Sequence, residues 1–221
     1  MLLAVDTSTA QLGLAVYDGA QVIGEYAWRS SQRHTVELAP AVFELLARCG
    51  LSAEAIRALG VALGPGSFTS LRVGLSLVKG LAISRKIPLI GVPTLDIFAA
   101  GQSPSRLPLA VVIQAGRSRL AVGWYKSSKK GWQAKGAARV VTLDGLADEI
   151  QSPTIVCGEL TSGERAKLAE NVNVQLASPA QCVRRPAILA ELAWRRWQAG
   201  HVDDEATLAP IYLHVAGSVP A

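Results

Sequence analysis

The order of apolar runs constrains this chain more than any single motif does. Residues 2–5, 12–17 and 22–28 read as three strands, the last two joined at Asp18-Gly19, where glycine takes positive φ without steric cost. Residues 34–49 then place Val36, Leu38, Ala39, Val42, Leu45 and Leu46 at helical spacing and stop at Gly50. A strand at 59–63, a helix at 69–86 and a strand at 88–92 complete the unit. After the polar, proline-bearing "GQSPSRLP" of 101–108 the order begins again. Strands are expected at 109–113, 120–125 and 132–141, a helix at 144–150, a strand at 154–157 and a helix at 162–170. A last amphipathic helix spans 186–200, with Pro186 in its first turn and Gly200 at its end.

This repetition predicts an α/β chain of two tandem ribonuclease-H-like domains, the layout of the actin and sugar-kinase superfamily, with the second copy degenerate. The expected boundaries are 1–100 and 101–221, the C-terminal segment packing back on the first domain. With 221 residues, 50% hydrophobic and 18% charged, the chain can bury real cores, and disorder is excluded. Cys49, Cys157 and Cys182 are too few and too scattered for a disulfide framework or a zinc site, which implies a reducing compartment. The opening "MLLAVD" meets an acid after a short apolar run, so it reads as a strand rather than a signal peptide. No run approaches the roughly 18 apolar residues a membrane span needs. A cytoplasmic protein without membrane contact is expected.

"LGPGSFTSLRVGLSLVKGLA", residues 63–82, poses the central question. Gly64, Pro65 and Gly66 form a turn that positions a helix. A P-loop needs glycines five apart and GxGxxG needs a third glycine where Thr69 stands, so neither phosphate motif is present. The bare helix N-terminus can bind an anion, or Ser67 or Thr69 can cap it. Arg72 in the first turn opposes the helix dipole at about 0.3–1 kcal/mol and calls for an acidic partner. The helix carries one stripe of Leu71, Leu75, Val78 and Ala82 and a second of Ser70, Gly74, Leu77 and Leu81. One stripe can cover the sheet; the other needs a partner chain or the last helix of this one.

Enzyme chemistry has weaker support. Actin-like kinases hold metal and nucleotide between acids at the first strand end of each half. Asp6, with Thr7 and Ser8 in "VDTSTA", fits the first position as a vestigial nucleotide site, but Gln114 in "VVIQAGRS" fills the second, and an amide cannot replace the carboxylate. The alternative reading as Asp6 hydrogen-bonded to nearby backbone stays open. His34, His201 and His214 show no HxxxH spacing, and no serine lies in GxSxG. No acid lies between Asp96 and Asp144, an interval carrying Arg106, Arg117, Arg119, Lys126, Lys129, Lys130, Lys135 and Arg139. It is either a lysine-guarded sheet edge or a surface for a phosphate backbone. Trp194 and Trp197, flanking Arg195 and Arg196, are read as core rather than as a stacking platform.

"MLLAVDTSTAQLGLAVYDG", "QRHTVELAP", "ALGPGSFTSLRVGLSLVKGLA" and the terminal "PIYL" together resemble the TsaB (YeaZ) family. The resemblance covers most of the first 95 residues and the C-terminal motif. It implies a scaffold subunit, itself without catalysis, of bacterial tRNA threonylcarbamoyladenosine synthesis. It implies TsaD as heterodimer partner, the ATPase TsaE joining the pair, a homodimer when alone, and tRNA contact only within the complex. The partner-binding helix falls on Ser70, Leu71, Gly74, Leu75, Val78 and Lys79. No tightly bound cofactor is implied, ATP or ADP at the complex interface being the exception. Ser70 stands where the family has glycine, Gln114 and Gly116 depart from its Asp-Ala-Arg, and His214 replaces its arginine after "PIYL". The runner-up is a small-molecule or sugar-kinase-like ATPase of the actin fold.

Overall fold

The computed structural model describes residues 1–31, 33–116 and 118–213. Alternating apolar residues dictate a sheet that must be covered on both faces. β1 (Leu2–Asp6), β2 (Gln11–Tyr17) and β3 (Val22–Arg29) form an antiparallel meander. α1 (His34–Arg48) leads to β4 (Ala58–Ala62), and α2 (Phe68–Arg85) leads to β5 (Leu89–Val92). β4 runs parallel to β1, and β5 parallel to β4, giving the order β3-β2-β1-β4-β5. α3 (Thr94–Ala100) follows.

The second unit repeats the plan. β6 (Leu109–Gln114), β7 (Arg119–Ser128), β8 (Gly131–Ala134) and β9 (Arg139–Thr142) make the antiparallel half. α4 (Leu143–Glu149), β10 (Thr154–Gly158), α5 (Ser162–Ala169) and β11 (Val174–Leu176) make the parallel half. The order β11-β10-β6-β7-β8 is that of the first sheet, with β9 also paired to β7. Its crossover helices have 7 and 8 residues where α1 and α2 have 15 and 18. The chain is thus two tandem ribonuclease-H-like sheets, the second one reduced.

The expected single strand at 132–141 is two strands, because Gly136 turns the chain at φ 98° between them. α3 and β11 lie beyond the sequence reading, being too short for a periodic signal.

α6 (Pro186–Gln198) decides the division of the chain. One compact unit comprises Met1–Ile97 and Arg184–Ile211; Phe98–Val183 belong to the other. Residues 184–211, the C-terminal part of the 101–221 stretch that is expected to pack back on the first domain, stand with the first sheet. The reason is the pleat. Leu3 and Val5 face α1 and α2, packing with Leu38, Val42, Leu75 and Val78. Leu2 and Ala4 face the other way, onto Leu189, Ala190 and Ala193 of α6. Trp194 and Trp197 pack there edge to face, ring centroids 5.1 Å apart, as core aromatics. Beyond α6 the chain is stitched to the same sheet: Gly91 N–H donates to Asp203 Oδ2 at 2.7 Å, and Ile211 N–H to the Leu63 carbonyl at 2.7 Å.

Leu189→Ala, at a site with 0% exposure, should cost about 2–5 kcal/mol and raise hydrogen exchange in β1 and β4. Unchanged protection of those strands would show that α6 is not part of their core.

Candidate functional site

The loop after β1, residues 6–9, holds the residues expected from sequence as a nucleotide site. Here it is sealed. Asp6, Thr7, Ser8 and Thr9 are 2%, 1%, 0% and 8% exposed, and each is hydrogen-bonded within its own unit. The Asp6 carboxylate accepts from the Ser8 N–H at 2.9 Å and is ion-paired with the Arg184 guanidinium, itself buried. Arg184 also donates to Thr9 Oγ1 at 3.1 Å and to the Gln11 carbonyl at 3.2 Å. Thr7 Oγ1 donates to the Ser70 carbonyl at 2.7 Å, and Ser8 Oγ shares a 2.7 Å hydrogen bond with Thr94 Oγ1. At Asp6, Thr7 and Ser8, expected as a vestigial nucleotide site, the carboxylate is paired with Arg184 and the two hydroxyls are hydrogen-bonded to protein. The sequence pairs Asp6 with nearby backbone; the partner it does not reveal is Arg184, 178 residues away.

In the second unit, Gln114 Nε2 donates to the Glu159 carbonyl at 3.1 Å and to Glu164 Oε2 at 2.8 Å. That strand end is likewise spent on structure. His34 is buried and its Nε2 donates to the Thr9 carbonyl at 3.0 Å, a packing role. Among the described residues no group of three or more His, Cys, Asp and Glu is placed to hold a metal ion. No described helix is long and apolar enough to cross a membrane. His214 and Arg117 lie outside the described residues.

The turn before α2 is shaped by what lies beneath it. Gly64 takes φ 103°, and a Cβ there would meet the Ile211 carbonyl oxygen at 2.8 Å. A Cβ on Gly66 would sit 2.2 Å from the Ser8 carbonyl oxygen, which accepts the Ser67 N–H at 2.7 Å. The Gly64 N–H donates to Thr94 Oγ1 at 2.9 Å, and Pro65 between the two glycines is buried. Ser67 caps the helix, accepting from the Ser70 N–H, while the Ser70 hydroxyl donates to Ser67 Oγ at 3.0 Å. Arg72 lies with its guanidinium carbon 3.7 Å from the Phe68 ring centroid, a cation–π contact.

Of the six residues expected to meet a partner, four point inward. Leu71, Leu75 and Val78 are 1%, 6% and 0% exposed against the sheet. Gly74 is buried too, and a Cβ there would lie 2.3 Å from Thr7 Oγ1. What approaches this glycine is the Thr7 side chain of the 6–9 loop. Lys79 is half-buried beside Asp204, whose carboxyl is held low by the Thr207 N–H and hydroxyl first and by the Lys79 charge last.

The outward surface of α2 is a third stripe. Thr35, Leu38 and Ala39 of α1 face Phe68, Thr69, Arg72, Val73, Ser76 and Leu77 of α2 across an open groove of about 480 Å³. A smaller apolar cavity of about 90 Å³ continues between the same helices beside Phe43, Leu77 and Leu81. Phe43, Val36, Ile83 and Phe68 are 67%, 61%, 60% and 54% exposed on this face. The last helix does not cover it, because α6 lies on the opposite face of the sheet. Spacing alone could have located Val73 and Ser76, but two apolar stripes on one helix hid the third.

A family model for TsaD, tRNA N6-adenosine threonylcarbamoyltransferase, matches residues 27–176. The chain is 31% identical to the Bacillus subtilis tRNA threonylcarbamoyladenosine biosynthesis protein TsaB, over 97% of this chain and 94% of that one. It is 33% identical to the tRNA N6-adenosine threonylcarbamoyltransferase of Syntrophus aciditrophicus, over 41% of this chain and 28% of that one. A Pseudomonas aeruginosa crystal structure, described as an uncharacterized protein with similarity to peptidase YeaZ, has a TM-score of 0.80 at 25% identity. That match covers 96% of this chain and 99% of the other.

Two measurements test the sealed loop. Arg184→Met should cost about 3–5 kcal/mol by leaving Asp6 buried and unpaired, and Asp6→Leu added to it should recover most of the loss. Gly74→Ala should cost about 1–3 kcal/mol through Thr7, whereas Gly80→Ala, with nothing within 4 Å, should gain up to about 1 kcal/mol. Equal effects at the two glycines in chemical denaturation would remove the close approach from the account.

Proposed function

This chain belongs to the TsaB (YeaZ) family, and we propose that it is the scaffold subunit that binds and activates TsaD, without catalysis of its own. Its relatives place it in tRNA threonylcarbamoyladenosine biosynthesis. The observation that carries the finer reading is the α1–α2 groove, an apolar channel with exposed Phe68 in its wall and exposed Phe43 beside its continuation. Exposed apolar surface of this kind marks an interaction site. The TsaD family model matches the stretch that contains α1 and α2, so TsaD has counterparts of both helices. Two related helix pairs can then pack face to face, each filling the other's groove. In the absence of TsaD a second copy of this chain takes its place, and the ATPase TsaE joins the heterodimer.

The non-catalytic reading is supported by the fate of the superfamily's acidic positions. Asp6 is neutralised by Arg184, and Gln114 stands at the matching strand end. Any ATP or ADP therefore sits at the junction with the partner rather than in the 6–9 loop. The sugar-kinase-like ATPase has no observation in its favour.

Light scattering of the chain mixed with its cognate TsaD at micromolar concentration should give a 1:1 mass. Ser76→Trp fills the groove from an exposed position, so it should weaken the complex at least tenfold while changing stability by less than about 0.5 kcal/mol. A wild-type chain that stays separate from TsaD, or full affinity in Ser76→Trp, would sink the groove assignment.

A further inference from the structure

The acid-free interval of the sequence comes together in the second unit. Residues 104–108, Lys126, Ser127 and Ser128 at the end of β7, and Lys135 just past β8 line a groove of about 670 Å³. Arg106, Lys126 and Lys135 are exposed along it, and Lys129 and Lys130 sit at the adjoining β7–β8 turn. Among the described residues, the ion pairs of this unit are Arg139–Glu149 and Lys167–Asp144, and none of these five cations takes part in one. Edge protection accounts for Lys126, which pairs with Gln133 of β8 beyond the last β6 pair, Leu109–Tyr125, but not for Arg106, which lies in the loop before β6.

We propose that this groove binds the phosphodiester backbone of RNA. Three cations converge on one channel, with the hydroxyl-bearing Ser105 and Ser127 between them, while the Ser128 hydroxyl donates to the Gly131 carbonyl at 2.7 Å. Phosphate oxygens take this mixture of charge and hydroxyl donors, and such contacts carry no sequence information. The nearby aromatic is committed elsewhere: Trp132 Nε1 donates to the Gln102 carbonyl at 3.0 Å. The contact made by these groups is electrostatic and independent of sequence. The choice of RNA over another polyanion rests on the tRNA-modification reading above.

The test is fluorescence anisotropy of a labelled, unmodified tRNA transcript with the full chain at 50 and 200 mM salt. Arg106→Gln/Lys126→Gln/Lys135→Gln removes about three phosphate contacts, flattening the slope of log affinity against log salt by about 2.7. The wild type should then lose about forty-fold more affinity across that interval than the variant. Arg29→Gln/Arg57→Gln/Lys86→Gln, an equal charge change at exposed positions of the first unit, should leave the slope intact. Identical slopes in the two triple variants would overturn the proposal, as would wild-type binding by the first. Polyglutamate bound as tightly as the tRNA would overturn it in favour of an acidic protein. Heterodimer formation by the first variant, read by light scattering, separates the outcomes. An unchanged slope with an intact heterodimer sinks this inference alone, while failure of the wild type to pair with TsaD sinks the scaffold reading.

Discussion

Everything in the first unit turns on the burial of residues 6–9. Four consecutive polar side chains without access to water must each find a partner, since an unsatisfied buried polar group costs about 1–3 kcal/mol. The partners come from distant parts of the chain: Ser70 at the start of α2, Thr94 at the start of α3, and Arg184 just before α6. The loop therefore fixes where three helices begin. The Asp6–Arg184 pair is not a large net source of stability, because desolvation offsets most of its attraction. Its effect is selective: any arrangement that separates the two residues leaves a bare charge in the core.

This geometry sets which side of α2 remains outside. Thr7 against Gly74 and Ser8 against Gly66 bring the helix close to the loop and rotate Leu71, Leu75 and Val78 onto the sheet. Phe68, Arg72, Val73 and Ser76 are then left facing α1 across an open channel. The glycines that look like invitations to a partner helix serve internal packing, and the open apolar channel is a consequence of that packing. A bulky residue at Gly74 would disrupt the fold before it tested an interface.

The duplicated fold was legible because strand and helix periods differ and the same order occurs twice. Boundaries failed where elements fall below one period, as with α3 and β11, or where one glycine splits a strand, as Gly136 does. The groove was legible only in part. An apolar excess on α2 could be counted, yet its inward direction depends on Thr7 and Ser8, which no spacing rule links to Gly74 or Gly66. Arg184 was illegible for the same reason: a buried cation 178 residues from its carboxylate leaves no local pattern.

The two sheets share one strand order but diverge in what they do with the crossover helices. Long helices in the first unit supply two faces each, one for the core and one for the surface, and so leave an apolar channel between them. Helices of 7 and 8 residues in the second unit can do little beyond covering their own sheet through Leu146 and Leu168. Its distinctive surface must come from strands and loops instead, and those are where the unpaired cations lie. An apolar helical channel selects a folded protein, since only a shaped apolar surface benefits from filling it. A strand-and-loop surface lined with exposed cations suits a flexible polyanion, whose charges need no fixed spacing to be neutralised. One strand order with helices of unequal length thus gives one chain two surfaces of different chemistry, and neither involves the buried residues 6–9.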